Sequence, residues 1–366
     1  MSMGLYPWQH QAWKQLQQHR GRWPHAILLH GPEGIGKTAF AEWLAQSLLC
    51  ETPLEDGQAC GQCISCGWFV QYSHPDFRRL RPEALDGNAS DADDAGGTDA
   101  SQPDTKVGTK VGAKAASTAI AKPATKSATK APSKEIVINQ VRSLANFMTI
   151  STHRHGLRVI LIYPAEAMNS AAANALLKSL EEPGPGSVFI LVTQCIDTLL
   201  PTIISRCHQF GLAQPSQEVA LAWLSQQQVH TPMQFLAEQG GAPIAALLAS
   251  QSDIREEQQL FFRYLHKPDV AGALNVADKL QKMPIPVLIS WLQRWLYDVF
   301  SAKLTGCIRY YPGYQREVTN MATAVSLPGL LSLISSCKQR SAVAEHPLSA
   351  KLLIEDMLLE YCAAFG

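Results

Sequence analysis

At 366 residues, and about 150 residues per domain, the chain has length for two to three domains, and its 46% hydrophobic content is enough to bury a sizeable core. Lys and Arg number 31, as do Asp and Glu; this balance excludes gripping nucleic acid through bulk positive charge and leaves only a local patch open. No run of about 18 apolar residues is present, so no membrane partner is expected. Met1 to His10 lacks the basic-then-apolar start of a secretory signal. Nine cysteines in such a chain, four of them crowded between Cys50 and Cys66, point to metal rather than disulfides. The expectation is a soluble cytoplasmic protein of several domains.

In chain order, His25 to His30 is a short apolar run ending at glycine and predicts a buried strand. Thr38 to Leu49 predicts a helix with Phe40, Trp43, Leu44 and Leu48 on one face. Residues 84–134 hold no aromatic residue and consist almost wholly of Ala, Asp, Gly, Thr, Ser, Lys and Pro. Such a stretch cannot bury enough apolar surface to offset its ordering entropy and is read as disordered. Its acids come first, Asp86 to Asp104, and its lysines follow, Lys106 to Lys134. It reads as a tolerated loop insertion, since long loops cost little stability, or as a tether whose halves attract each other. Beyond it, Ile138 to Met148 predicts a helix, Arg158 to Ile162 a strand, Asn169 to Glu182 a helix closed by Pro183, and Ser187 to Thr193 a strand. Strands alternating with helices predict an α/β fold with a mainly parallel sheet covered on both faces. From Gln217 onward the periodicity is helical. Trp291, Leu292, Trp295, Leu296 and Val299 recur as a helical core or subunit seam would. Tyr310, Tyr311 and Tyr314 with Arg309 and Arg316 read as a loop packed on that core or as a patch able to stack on a base.

The segment from Gly31 to Thr38 fits G-x-x-x-x-G-K-[ST] between a predicted strand and a predicted helix. Gly31, Gly34 and Gly36 would let backbone N–H groups face phosphate oxygens, with Lys37 reaching the β- and γ-phosphates and Thr38 ligating Mg²⁺. An active ATPase also needs an acidic pair after a second core strand. Here Tyr163 and Pro164 follow Ile162, so bound ATP without turnover is the expectation. Glu166, two residues on, is read as a helix-start or surface acid. Cys50, Cys60, Cys63 and Cys66 offer four thiolates to a structural, closed Zn²⁺ site. Cys195, Cys207, Cys307, Cys337 and Cys362 are scattered and read as small core or surface residues. Arg206, in Ser205-Arg-Cys207 at the edge of the α/β part, can reach into a neighbour's phosphate site.

Together, Tyr6-Pro-Trp8, His25-Ala-Ile-Leu-Leu, the glycine-rich loop, the cysteine cluster, His74-Pro-Asp76, the block Ala171 to Pro183 and Ser205-Arg-Cys207 resemble one family. It is the delta-prime family of subunits of the bacterial DNA polymerase III clamp loader, in the AAA+ superfamily. The similarity spans about residues 5–82 and 135–213. It implies an AAA+ P-loop core at 1–213, with the zinc module at 50–66 and the insertion at 84–134. A helical lid at 214–254 and a helical collar at 255–366 follow. It also implies a stator that joins gamma/tau-type motor subunits and a delta-type subunit in a hetero-pentamer, which loads a sliding clamp onto primed DNA at the nucleoid-associated replisome. Arg206 would act as a finger in the neighbouring ATP site, and Thr193 matches the sensor-1 position. Where the motors carry a sensor-2 arginine stands Ile244. The alternatives are a motor-type ATPase hydrolysing its own ATP, a scaffold with a vestigial loop, and an AAA+ protein that binds DNA alone.

Overall fold

The computed structural model describes residues 4–85, 133–149, 152–153, 156–343 and 349–365. The first part of the chain contributes α1 (His10–Gln17), β1 (Ala26–His30), α2 (Lys37–Leu49), α3 (Ile64–Val70) and β2 (Phe77–Leu80). After the insertion come α4 (Ile138–Thr149), β3 (Arg158–Ile162), α5 (Ser170–Glu181), β4 (Ser187–Thr193), α6 (Pro201–Ile204) and β5 (His208–Gly211). The strands form one parallel sheet in the order β2-β3-β4-β1-β5. Its central strands are apolar along their length because both faces are covered. Alternate residues go to opposite sides: Ile27, Leu29, Leu161 and Ile190 pack with Phe40 and Leu44 of α2, while Leu28, Ile160 and Phe189 pack with Leu144 of α4 and Leu176 of α5.

Two strands, β2 and β5, escape the hydropathy pattern. Both are four-residue edge strands, and an edge strand has one flank without a sheet neighbour and needs no apolar run. In β2, Arg78 lies 4.6 Å over the Phe147 ring and Arg79 lies 4.0 Å over that of Tyr72, which lets two cations sit in a strand. In β5, His208, Gln209 and Gly211 are exposed. The expected disorder of 84–134 falls outside the described residues except at the ends, where the Ala84 N–H donates to the Ser133 carbonyl at 2.9 Å.

Three helices follow: α7 (Gln217–Gln226), α8 (Pro232–Glu238) and α9 (Pro243–Ser250), packed around Ala220, Leu224, Leu236 and Ala246. The remainder is α10 (Arg255–His266), α11 (Val270–Leu280), α12 (Ile285–Thr305), α13 (Gln315–Ala324), α14 (Leu327–Val343) and α15 (Ala350–Phe365). Phe262, Trp291, Trp295, Leu296 and Val299 lie in their shared core. Among the described residues, no strand follows Gln217 and no single helix is long and apolar enough to cross a membrane. Arg255 joins α10 to α8: its guanidinium donates at 3.0 Å to both oxygens of the buried Glu238 carboxylate and lies 4.0 Å over Phe235.

The loop after α12 is tied to that helix by Asp298, which is 0% exposed. Its carboxylate accepts the N–H groups of Arg309 at 2.9 Å, Tyr310 at 3.0 Å and Tyr311 at 2.7 Å. Burial pushes the carboxyl pKa up and the three donors pull it back. Tyr311 is fully buried, 4.6 Å from Phe262, and Tyr314 lies 5.2 Å from the same ring, so both belong to the helical core and neither forms a base-stacking surface. Asp298→Ala leaves these N–H groups without their acceptor and should destabilise this core by about 2–4 kcal/mol. Urea unfolding followed by tryptophan fluorescence measures the loss, and an unchanged midpoint contradicts it.

Candidate nucleotide site, cysteine centre and arginine finger

The loop from Gly31 to Thr38 joins β1 to α2, and a roof of residues distant in sequence covers it. Gly34 and Gly36 adopt left-handed backbone, φ 74° and 84°. A Cβ on Gly34 would stand 2.6 Å from the Ala245 Cβ, and one on Gly36 would stand 2.7 Å from the Tyr6 ring and 2.9 Å from Ile244 Cδ1. The Ile35 carbonyl accepts from Trp8 Nε1 at 2.9 Å, the Gly36 carbonyl from Gln9 Nε2 at 2.9 Å, and the Gly34 carbonyl from the Ile244 N–H at 3.0 Å. In a trans peptide N–H and C=O point opposite ways, so the N–H groups of Ile35, Gly36 and Lys37 face away from these donors. That is the arrangement a phosphate needs. The Lys37 ammonium is 2.6 Å from the Pro32 carbonyl, and burial lowers its pKa while Glu166 and Glu33 hold it up. Thr38 is the second residue of α2, half-buried, and Ile244 places an aliphatic side chain against the loop.

At the end of β3, Tyr163 turns its hydroxyl to Arg81, 3.4 Å away. Glu166 is the first-turn acid of a 3₁₀ helix, as the helix-start reading has it, and it is half-buried rather than a surface acid. The 3₁₀ turn Ala165–Ala167 folds it back, and its Oε1 accepts the Gln194 N–H at 3.1 Å at the end of β4. Its Oε2 is buried, with no hydrogen-bond partner among the described residues. Thr193 is 0% exposed, and its hydroxyl is used within its own turn, donating to the Cys195 carbonyl at 3.1 Å and accepting the Cys195 N–H at 3.2 Å.

The four cysteines converge between α2 and α3. Their sulfurs all lie within 4.8 Å of one another, with Cys50 and Cys63 at 3.9 Å and Cys60 and Cys66 at 4.0 Å. Tetrahedral Zn²⁺ with bonds of about 2.3 Å places its sulfurs about 3.8 Å apart, so the set fits such an ion. Backbone N–H groups already aim at sulfur: Cys60 at Cys50, Gln62 and Cys63 at Cys60, and Cys66 at Cys63. The Thr52 hydroxyl and two of these amides hold the Cys60 thiol down to about 6, while burial pushes Cys50 and Cys66 up. A divalent cation removes that conflict by neutralising thiolates that otherwise repel.

A polar chain that the sequence reading missed ties this centre to the sheet. His74 Nδ1 accepts the Asp76 N–H at 3.0 Å, so Nε2 carries the proton and donates to Ser65 Oγ at 2.7 Å, and Ser65 donates to the Leu49 carbonyl at 2.5 Å. It links the end of α2, the start of α3 and the entry to β2. The motif His74-Pro-Asp76 was its only sequence signal.

Arg206 sits after α6. One terminal nitrogen meets Glu181 at 2.5 Å, and the other donates to the Thr202 carbonyl at 2.9 Å. The Arg206 and Glu181 side chains are 35% and 49% exposed, and a pair that open contributes at most about 1 kcal/mol, so its guanidinium is free to exchange partners. Glu181 was not singled out from the sequence. Of the remaining cysteines, Cys207 and Cys337 are buried, and burial pushes both thiols up to about 11; Cys195 and Cys307 are exposed and Cys362 is half-buried.

A parallel sheet in this order, with a phosphate-type loop after β1, defines a P-loop subunit of the AAA+ type. A family model described as "DNA polymerase III, delta subunit" matches residues 8–216. The chain is 33% identical to DNA polymerase III subunit delta' of Pseudomonas aeruginosa over 308 residues, 82% of this chain and 79% of that one. Against the Escherichia coli K12 protein of the same name it is 26% identical over 368 residues, 98% of this chain and 95% of that one. A crystal structure of a DNA polymerase III gamma subunit-related protein from Thermotoga maritima covers 98% of the chain at TM-score 0.44 and 14% identity. The chain belongs to the DNA polymerase III subunit delta' family, and is a component of the polymerase III complex.

The cysteine geometry predicts a single tightly held metal ion per chain. Elemental analysis after exhaustive dialysis should find it, and Cys63→Ser should lose it together with thermal stability. Because thiolates bind metal and thiols do not, chelator-driven release should become easier as pH falls. A metal-free chain of undiminished stability contradicts the assignment.

Proposed function

We propose that this chain is the stator of a clamp loader, holding gamma/tau-type motor subunits and a delta-type subunit in a hetero-pentamer that opens a sliding clamp and places it on primed DNA. Arg206 enters the neighbouring motor's ATP site and promotes hydrolysis there. The observation that carries this reading is the half-exposed Arg206, a planar cation anchored by the Thr202 carbonyl and by an ion pair weak enough to exchange for phosphate. The domain division is the one expected above: core to residue 213, lid at 214–254 and collar from 255. The metal is structural Zn²⁺, since four sulfurs leave no open position for water.

The chain's own P-loop holds ATP with Mg²⁺ and does not turn it over. Gly31, Gly34 and Gly36 shape the loop, Lys37 meets the phosphates and Thr38 faces the cation. Tyr163 and Pro164 offer no carboxylate to orient an attacking water, which favours this reading over a motor-type ATPase. Thr193 at the end of β4 occupies the sensor-1 position, with its hydroxyl turned to its own loop.

Finger arginines contribute on the order of 10³–10⁵ in rate. Arg206→Ala should therefore sharply reduce the DNA-stimulated ATPase of the reconstituted complex while leaving assembly intact; an unchanged rate refutes the role in trans. For the P-loop, equilibrium binding of a fluorescent ATP analogue to the purified chain should be abolished by Lys37→Ala. Absence of binding to the wild-type chain makes the loop vestigial and the protein a scaffold.

A further inference from the structure

We propose that Glu166 is the acidic ligand of this site, holding the Mg²⁺ of the bound nucleotide in place of the missing strand-end acids. The inference rests on the reading that the P-loop binds nucleotide.

Five observations converge on that carboxylate. Tyr163 and Pro164 supply none, and the turn Ala165–Ala167 returns the next acid toward the sheet. Glu166 Oε1 is fixed by the Gln194 N–H at 3.1 Å, directly after β4. Strand β4 lies between β3 and β1, and the P-loop follows β1, so the carboxylate is carried one strand toward the loop. Lys37 feels it, since Glu166 is the leading charge that offsets the effect of burial on that ammonium.

The remaining observation concerns Oε2, buried with no hydrogen-bond partner among the described residues. Buried carboxylate oxygens are rarely left unpaired, because desolvation is costly unless a donor or cation compensates. The Lys37 ammonium has its own acceptor in the Pro32 carbonyl. A hard divalent cation suits the orphaned oxygen. Mg²⁺ is held at nucleotide sites by one or two carboxylates together with phosphate oxygens, a hydroxyl and waters. Thr38, in the first turn of α2, is the hydroxyl this chain offers. Glu166 is thereby a cation ligand and not a base, so the site retains nucleotide without activating water.

The test is the Mg²⁺ dependence of nucleotide affinity, measured on the full-length chain with fluorescent ADP and ATP analogues in Mg²⁺ or in EDTA. Wild-type chain should bind about tenfold more tightly with Mg²⁺. Glu166→Gln keeps an oxygen to accept the Gln194 N–H, so the fold should persist, as checked by circular dichroism. It should lose most of the Mg²⁺ enhancement and keep the affinity seen in EDTA, and Glu166→Asp should recover part of it. Electron paramagnetic resonance with Mn²⁺ and ADP should show nucleotide-dependent Mn²⁺ binding in wild type and not in Glu166→Gln. If Glu166→Gln keeps the full enhancement, or loses affinity equally with and without Mg²⁺, the proposal is overturned while nucleotide binding stands. If wild-type chain binds no nucleotide, both fall.

Discussion

Outward hydrogen bonding of three consecutive P-loop carbonyls governs how the parts of this molecule meet. Gly34, Ile35 and Gly36 are bonded by Ile244, Trp8 and Gln9, so one loop is gripped at once by the N-terminal segment and by the helices after the sheet. Around it Tyr6 stacks on Trp8 at 5.0 Å, and Trp223 of α7 meets both edge-on at 5.6 and 5.3 Å. Aromatic pairs add about 0.5–1.5 kcal/mol each beyond their buried area, so this cluster fixes α7 over the loop. Left-handed glycines are required beneath it, because a Cβ at Gly34 or Gly36 would collide with the roof. The sequence signature of the loop thus records a packing constraint as well as the expected phosphate cradle.

The same logic runs outward from the loop. The sheet positions β1, β3 and β4 so that their carboxyl ends converge. Arg255, bonded to the buried Glu238, then makes α8 and α10 a continuous joint. The cysteine centre is a separate brace, joined to β2 by the Ser65–His74 pair. The insertion is rooted beyond the other end of that edge strand, where Ala84 meets Ser133.

Much of this was legible in the residues. Central strands, the P-loop and the four thiolates announce themselves because each imposes a dense local pattern: a continuous apolar run, spaced glycines before Lys-Thr, and short Cys spacings. Edge strands do not, as Phe77–Leu80 shows, since its arginines are solvated or stacked on rings that the sequence cannot place. Glu166 was only half legible for a related reason. Its position two residues beyond Pro164 suggested a helix start or a solvated side chain; the first holds, and the turn at Ala165–Ala167 with the close approach of Gln194 brings the carboxylate inward. Glu181 and Ser65 were silent because each acts through a partner distant in sequence. Pairings of that kind arise from topology, which local periodicity does not encode.

Electrostatically the chain is balanced, and its notable charges are local: Lys37 against Glu166 and Glu33, Arg206 against Glu181. This suits the proposed stator, which would meet phosphate at its own loop and across a subunit boundary without attracting DNA along its whole surface. In the proposed stator, ATP in the loop is retained and not consumed. The most direct measurement is the fate of stoichiometric γ-labelled ATP after incubation with the isolated chain, removal of free nucleotide and denaturation. The bound fraction should be recovered as intact ATP over many minutes. Recovery as ADP with released phosphate, abolished by Lys37→Ala, would contradict it.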